Sequence, residues 1–381
     1  MNKEMILPGA TIGMIGGGQL GRMFTIAAKY LGYKVIVLEP DEHSPAGQVA
    51  DTQFIAPYDD ADALAVFAEQ CDVITTEFEN IPASVLEKLA ESCPVHPSAA
   101  ALSKTQDRII EKDFIRSCGL LPVPYGVIRT RSDVATAVAA IEFPAILKTA
   151  RFGYDGKGQI TVNTPEEAVE GYEKTHKSAD CVLEQRVDLA CEISVVLARN
   201  VDGEMQVFPV SENVHVDGIL FQSIVPARVE EDIARAAQTA AKRLADELGY
   251  VGVLAVEFFV TKQGALLVNE IAPRTHNSGH FTIDACVTSQ FEQQVRTVCN
   301  LPFGSTELLS PVVMTNLLGD VWGDSQPDWT KVLSSPKSKL HLYGKAAARP
   351  GRKMGHFCTL AETNEAAEQE AKQIFNDLSK A

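Results

Sequence analysis

Along the first 95 or so residues, apolar positions cluster in short runs separated by amphipathic stretches. Thr11–Gly16 is a compact apolar run; Lys34–Glu39 and Asp72–Phe78 are rich in β-branched residues. Between them, Gln19–Leu31 has helical spacing, with Gly32 placed as a C′ stop. Pro82–Ser92 reads as a helix with proline near its start. Strand–helix alternation of this kind predicts a parallel sheet in an α/β layer fold.

Ser98–Cys118 reads as one longer helix, with Ser98 as N-cap and Gly119 as stop. Pro122 and Pro124 break the chain. A strand follows (Ala145–Ala150), then a glycine-rich loop (Phe152–Gly158) and a second strand (Gln159–Asn163). Thr164-Pro165-Glu166-Glu167 combines an N-cap, an N1 proline and a capping-box glutamate. Cys181–Val187 reads as a strand, and residues 191–226 as meandering β with a hairpin signal at Asp202-Gly203. Glu231–Leu248 is a predicted helix. Leu254–Val260 and Ala265–Ile271 form a predicted hairpin around Gln263-Gly264. After Leu301-Pro302 come short strand-like pieces (Val312–Leu318, His341–Tyr343) and a terminal helix, Glu365–Leu378, read as a small third domain.

Composition narrows the partners. The 381 residues are 45% hydrophobic and 22% charged, ordinary for a globular chain. The formal net charge of −16 repels nucleic acid and anionic lipid, so neither is an expected partner. Any phosphate site must therefore be a local cluster of Lys, Arg and backbone N–H groups. No apolar stretch approaches the about 18 residues of a membrane span, and the N-terminus does not read as a signal peptide. Eight scattered cysteines form no C-x-x-C pair, which favours reduced thiols and a cytoplasmic location.

Two glycine motifs compete for a nucleotide. Gly16, Gly18 and Gly21 give G-x-G-x-x-G between a strand and a helix, with Glu39 ending the next strand. That pattern fits a dinucleotide fingerprint and hence a nicotinamide-dependent oxidoreductase. It equally fits a turn needing small residues, or one that binds some other phosphate at a helix N-terminus. The second motif runs Arg151-Phe152-Gly153-Tyr154-Asp155-Gly156-Lys157-Gly158-Gln159 between two strands. Its glycines suit a hairpin lid closing over phosphates, with Lys148 and Lys157 as point charges. It is not a Walker A loop, since no G-K-[ST] opens a helix. A nicotinamide domain alone would leave this second site unexplained.

Glu257 and Glu270 flank the predicted hairpin. If Gln263-Gly264 is a two-residue loop, the two carboxylates are directly opposed, with Cβ atoms about 5 Å apart. Opposed carboxylates repel, and a divalent cation removes the conflict. Mg²⁺ prefers such oxygen ligands, and Asn269 could add one more.

The order of a lysine strand, a glycine lid, Glu184-Gln185-Arg186-Val187 at a strand end and a Glu…Asn-Glu hairpin resembles the ATP-grasp superfamily. The lid and the run Asn269-Glu270-Ile271-Ala272-Pro273-Arg274-Thr275-His276-Asn277-Ser278-Gly279-His280 are similar to signatures of 5-(carboxyamino)imidazole ribonucleotide synthases. Gly16–Gly21 and Thr76-Glu77-Phe78-Glu79-Asn80 match as well. Thr275 departs from the pattern, where proline is more usual.

The resemblance implies a Rossmann-like domain (1–97), a two-part ATP-grasp body (98–300, lid subdomain about 123–187) and a C-terminal domain (301–381). It implies ATP as co-substrate and Mg²⁺, or Mn²⁺, as cofactor. Bicarbonate and 5-aminoimidazole ribonucleotide are the implied substrates, and a homodimer the implied assembly. Glu184, Gln185, Arg186 and Val187 would hold adenine, and Glu192 the ribose. Arg108, Lys148, His215 and Gly153–Gln159, with Gly156 and Gly158 among them, would surround the phosphates. Glu257 and Glu270 would hold the metal beside Asn269. Arg274, His276 and Asn277 would meet bicarbonate, a guanidinium suiting it by two parallel N–H contacts. Tyr154 and Asp155 would place the imidazole nucleotide. Lys345 and Arg352 would bind its phosphate, a basic run that also fits a solvated patch. Gln19, Leu20 and Glu79 are further contacts for the same nucleotide. The related formate-dependent glycinamide ribonucleotide transformylase should lack the Tyr154-Asp155 pair. His276 and His280 do not read as a zinc pair, because Asn-Ser-Gly between them disfavours the required helix.

Overall fold

The structure is a computed structural model. It describes residues 4–151, 153, 158–175, 180–323 and 325–379. The N-terminal unit is a parallel sheet of β1 (Thr11–Ile15), β2 (Lys34–Leu38), β3 (Thr52–Phe54) and β4 (Val73–Thr76), in the order β3-β2-β1-β4. Its strands are apolar on both faces because both are covered. Ile12, Met14, Val35 and Val37 pack under helix Gln19–Tyr30, while Ile15, Ile36 and Leu38 pack against Leu64, Phe67 and Leu86 on the opposite side.

The chain expected to form one helix over 98–118 forms two. Ser98 caps Ala99–Ser103, and Asp107 caps Arg108–Ser117 through the Ile109 and Ile110 N–H groups. A second good N-cap inside the stretch restarts the helix. This restart places Arg108 at a helix N-terminus, where its own N–H donates to Ala150 O at 2.9 Å.

A small antiparallel sheet follows, made of β5 (Tyr125–Ile128), β6 (Ala145–Thr149), β7 (Gln159–Val162) and β8 (Cys181–Gln185), ordered β5-β8-β6-β7. The rest of the chain builds one large sheet from β9 (Leu189–Arg199), β10 (Met205–Val207), β11 (Ser211–Val216), β12 (Ile219–Val225), β13 (Gly252–Thr261), β14 (Leu266–Ala272), β15 (Val312–Leu318), β16 (Ser338–Leu342) and β17 (Lys353–Leu360). Its order is β14-β13-β9-β11-β12-β15-β17-β16, with β10 beside β9. The segment read as a separate third domain thus adds its strands directly to the body's sheet.

Alternation along β13 sorts the side chains. Leu254, Val256, Phe258 and Val260 sink under helix Glu231–Glu247, whose Ala237, Ala240, Ala241 and Ala245 allow close approach. Residues of the other parity, Glu257 and Phe259, face a cleft. Helix Gln290–Val298 joins the body to the N-terminal unit: Phe291 and Val295 share a core with Phe24 and Ala28. Gln294 accepts from Val253 N–H and donates to Thr75 Oγ1 at 3.0 Å, fixing β4 beside β13. The cleft lies where these units meet.

Candidate active site

A cavity of about 540 Å³ is lined by every part of the fold. The N-terminal unit supplies Gln19, Leu20, Glu77, Phe78, Glu79 and Asn80; the small sheet and the loop after it supply Ile146, Lys148, Gly153 and Gln159. The body adds Arg108, Glu192, His215, Glu257, Asn269, Glu270, Arg274, His276 and Asn277, and the C-terminal segment adds Lys353.

Glu257 and Glu270 are register partners, but by a different route from the one expected. The turn has three residues, Lys262–Gly264: Thr261 N–H donates to Ala265 O at 2.9 Å, and Gly264 takes φ +80°. That shifts the ladder by one. Beyond it, Phe258 pairs with Val268 whereas Glu257 pairs with Glu270, so Asn269 is an extra, bulged residue. The bulge restores the carboxylate pair. It also turns Asn269 and its neighbour Glu270 toward the same cavity, with Asn269 Nδ2 3.2 Å from Glu257 Oε2.

The electrostatics of this pair are unresolved by protein groups alone. Burial, and then the charge of Glu270, push the Glu257 carboxyl above its ordinary range. Arg108 Nη1 lies 3.1 Å from Glu270 Oε2. Two carboxylates and an amide oxygen in one half-buried wall form an oxygen-only donor set that fits Mg²⁺. Among the described residues no group of three or more His, Cys, Asp or Glu side chains forms a protein-only metal cage.

Around the pair, His276 Nε2 is 3.3 Å from Glu257 Oε1. Ser278 donates to Nδ1 by its N–H at 3.3 Å and engages it by Oγ at 2.8 Å. This network assigns the proton to Nε2. Burial, reinforced by the charges of Arg274 and Lys353, holds the imidazole well below its ordinary pKa, so it is neutral. Arg274 forms an ion pair with Glu79, across the seam between body and N-terminal unit. Burial opposes ionisation of Glu79, yet Arg274 keeps its carboxyl below the usual range. His280, by contrast, turns into the core against Gln290 and His356, so it makes no pair with His276. His215 Nδ1 lies 2.9 Å from Glu192 Oε2. Burial disfavours its charge, but Glu192 raises its pKa above the ordinary value.

Several sequence-derived candidates lie elsewhere. Glu184 is 2% exposed and does not line the cavity; its carboxylate sits between Lys148 Nζ (2.6 Å) and Lys112 Nζ (3.1 Å). Gln185, Arg186, Val187 and Gly158 are also absent from the lining. So are Lys345 and Arg352, which donate to the carbonyls of Lys353 and Ala347 at 2.7 and 2.8 Å. Lys353 is the basic residue of that run that reaches the cavity. Tyr154, Asp155, Gly156 and Lys157 fall outside the described residues. The sequence marks no role for Lys112 or Glu111, and Glu77 only as part of a matching run. Their signal was a charged residue at an otherwise apolar position, visible only once burial is known.

The first glycine motif is closed to a dinucleotide. Gly17 N–H donates to Glu39 Oε2 at 2.7 Å, Gly21 N–H to Glu77 Oε2 at 2.6 Å, and Gly18 N–H to Glu77 Oε1. The amides that would cradle a pyrophosphate are taken by carboxylates, which would also repel it. Gly16, at φ +98°, supplies the turn.

Family models match the chain in three places. A ribonucleotide synthetase preATP-grasp domain covers residues 9–106, an ATP-grasp domain 113–291, and a phosphoribosylaminoimidazole carboxylase C-terminal domain 312–370. Fold and site define an ATP-dependent ligase of the ATP-grasp class. An N5-carboxyaminoimidazole ribonucleotide synthase of Bacillus subtilis is 48% identical over 359 residues, 94% of this chain and 93% of the relative. The Staphylococcus aureus N5-carboxyaminoimidazole synthetase, solved with ADP, has a TM-score of 0.92 at 38% identity over 98% of both chains. The Aspergillus clavatus synthase, solved with ADP and 5-aminoimidazole ribonucleotide, has a TM-score of 0.88 at 30% identity, covering 98% of this chain and 99% of its own. The chain belongs to the N5-carboxyaminoimidazole ribonucleotide synthase family.

Proposed function

We propose that this chain uses ATP and bicarbonate to carboxylate the exocyclic amine of 5-aminoimidazole ribonucleotide, releasing ADP and phosphate. The observation that carries the reading is the opposed Glu257–Glu270 pair in one cavity with Lys148, Arg108, Arg274 and neutral His276.

The roles follow from charge and position. Glu257, Glu270 and Asn269 would hold Mg²⁺, or Mn²⁺, which when bound supplies charge neutralisation to the nucleotide phosphates. Lys148, Arg108 and His215 line the phosphate side, and Glu192 lines the ribose side. A bicarbonate oxygen attacks the γ-phosphorus, ADP departs, and carboxyphosphate forms. Arg274 orients bicarbonate, and His276 Nε2–H donates a hydrogen bond to the oxyanion that develops there. The amine then takes the carboxyl carbon, phosphate leaves, and the amine releases a proton. Whether that carbon arrives as carboxyphosphate or as CO₂ freed from it, the atoms balance alike. Gln19, Leu20, Glu79 and Asn277 face the same cavity and are assigned to the imidazole nucleotide and bicarbonate. We assign Tyr154 and Asp155 to the amine, and Lys345 and Arg352 to the substrate phosphate. The strand end Glu184–Val187 is assigned to adenine through its backbone. A cytoplasmic homodimer is the assembly we infer.

A coupled ADP-release assay tests this. ADP should appear at the full rate only with ATP, bicarbonate and 5-aminoimidazole ribonucleotide together. Equal release with another amine substrate, or none with all three, contradicts the proposal.

A further inference from the structure

Helix Arg108–Ser117 presents three charged side chains to the cleft region from one face, at positions i, i+3 and i+4. Arg108 meets Glu270, Glu111 Oε1 accepts from Ile271 N–H at 2.6 Å, and Lys112 meets Glu184. The first two touch the strand carrying the proposed metal ligands. The third has no part in the chemistry above. Lys112 is 1% exposed, and its ammonium also lies 5.5 Å from the Tyr125 ring centroid. Neither Lys112 Nζ nor Glu184 Oε1 makes a hydrogen bond to another group among the described residues. Among those residues Glu184 is the one carboxylate in contact with the Lys112 ammonium, and it is shared with Lys148.

The charge count gives Lys112 a task. Glu184 carries one negative charge on two oxygens: Oε2 contacts Lys148 at 2.6 Å and Oε1 contacts Lys112 at 3.1 Å. Of these three, only Lys148 lines the cavity. With Lys148 alone, Glu184 would form a neutral pair, and Lys148 would bring no net charge to an anion. With Lys112 present the trio is net positive. Because Lys112 is sealed off, that surplus is expressed at Lys148.

We propose that Lys112 is a positioning residue for nucleotide binding: by neutralising Glu184 from behind, it leaves Lys148 its positive charge and its place for the phosphates. The inference rests on the ATP reading above and names how one of its cations is kept available. Lys112 does not line the cavity, so its effect is on nucleotide affinity rather than on the later transfer to the amine.

The test is calorimetric titration of the purified full chain with ADP and magnesium, beside thermal melts and steady-state kinetics. Lys112→Met should weaken ADP by roughly tenfold to a hundredfold, as truncating one member of a buried charge group does. The KM for 5-aminoimidazole ribonucleotide should stay unchanged. Lys112→Arg should restore most of the affinity. The double variant Lys112→Met/Glu184→Gln, which removes both charges, should bind ADP more tightly than Lys112→Met alone. A purely structural role would lower the melting temperature but leave the affinity of the folded protein unmoved. That outcome overturns the inference, as does a double variant no tighter than Lys112→Met. If Lys112→Met fails to fold, Lys112→Gln takes its place: weakened ADP binding by the folded variant supports the inference and wild-type affinity overturns it. Wild-type protein that binds no ADP defeats the ATP reading itself, and the inference with it.

Discussion

Glu257 and Glu270 face each other across the β13–β14 ladder, and the bulged Asn269 is what brings them into register. Were the ladder to run on without the bulge, Glu257 would oppose Asn269 and Glu270 would turn to the opposite face. Glu270→Gln keeps the side-chain volume and removes the charge. Carboxylation should fall by on the order of 10²–10³, as loss of one preorganised charge at a transition state does. Circular dichroism and melting temperature should stay close to wild type. An active variant would remove Glu270 from the metal site.

Glu257 makes the complementary prediction. Its carboxylate is repelled by Glu270 in a half-buried wall, so the apo protein carries an unfavourable pair. Glu257→Gln should stabilise the metal-free protein by about 1 kcal/mol, the scale of like charges opposed across strands. The same variant should lose the stabilisation that magnesium with ADP gives the wild type. Thermal melts with and without both ligands measure each effect.

The carboxylate of Glu77 is a structural plug in the glycine turn. Glu77→Ala should leave the Gly18 and Gly21 N–H groups unpaired and cost about 2–4 kcal/mol, from about 1–3 kcal/mol for each buried donor less partial rehydration. Urea unfolding checks this. Wild-type protein should show no NADH binding by fluorescence, because carboxylates occupy the amides a pyrophosphate needs.

Acid should unfold the protein from within. His280 and His356 are buried and held well below their ordinary pKa, first by burial, with the charge of Lys353 adding to the effect on His280. Burial lowers His96 to about 4. In the unfolded chain these rings take up protons near pH 6.5, whereas in the folded chain they do not. Stability from them is therefore full above about pH 6.5 and is lost as pH falls below it. Each costs up to about 1.4 kcal/mol per pH unit, His96 levelling off near its folded value. Urea midpoints at pH 7.5, 6.0 and 5.0 should fall in that order. A midpoint independent of pH across this range would contradict the burial of these rings in their neutral form.

The layered strands and helices were legible because their apolar periods are strong and their ends carry caps and glycines. Two elements were not. Asp107 looked like one more polar residue inside a helix, yet it is an N-cap that restarts the chain and sets Arg108 at the cleft. The Glu257–Glu270 pairing agrees with the expected one, but the register nearer the turn is shifted by one: a third loop residue and a bulge compensate, and neither leaves a compositional mark beyond Asn269 itself. Lys148 beside the glycine lid and Glu257 opposite Glu270 could be read from the residues themselves, whereas Arg274 was legible only through the family resemblance. The roles of Lys112, Glu77 and Lys353 could not be read, because they depend on which distant carboxylate or cavity the fold brings to them.

The central claim is that the paired glutamates hold a cation against a nucleotide. A crystal grown with a non-hydrolysable ATP analogue and manganese tests it most directly. The account predicts an anomalous peak between the carboxylates of Glu257 and Glu270, with the terminal phosphates beside it and beside Lys148. A manganese peak away from both glutamates, or a triphosphate outside this cavity, would contradict it.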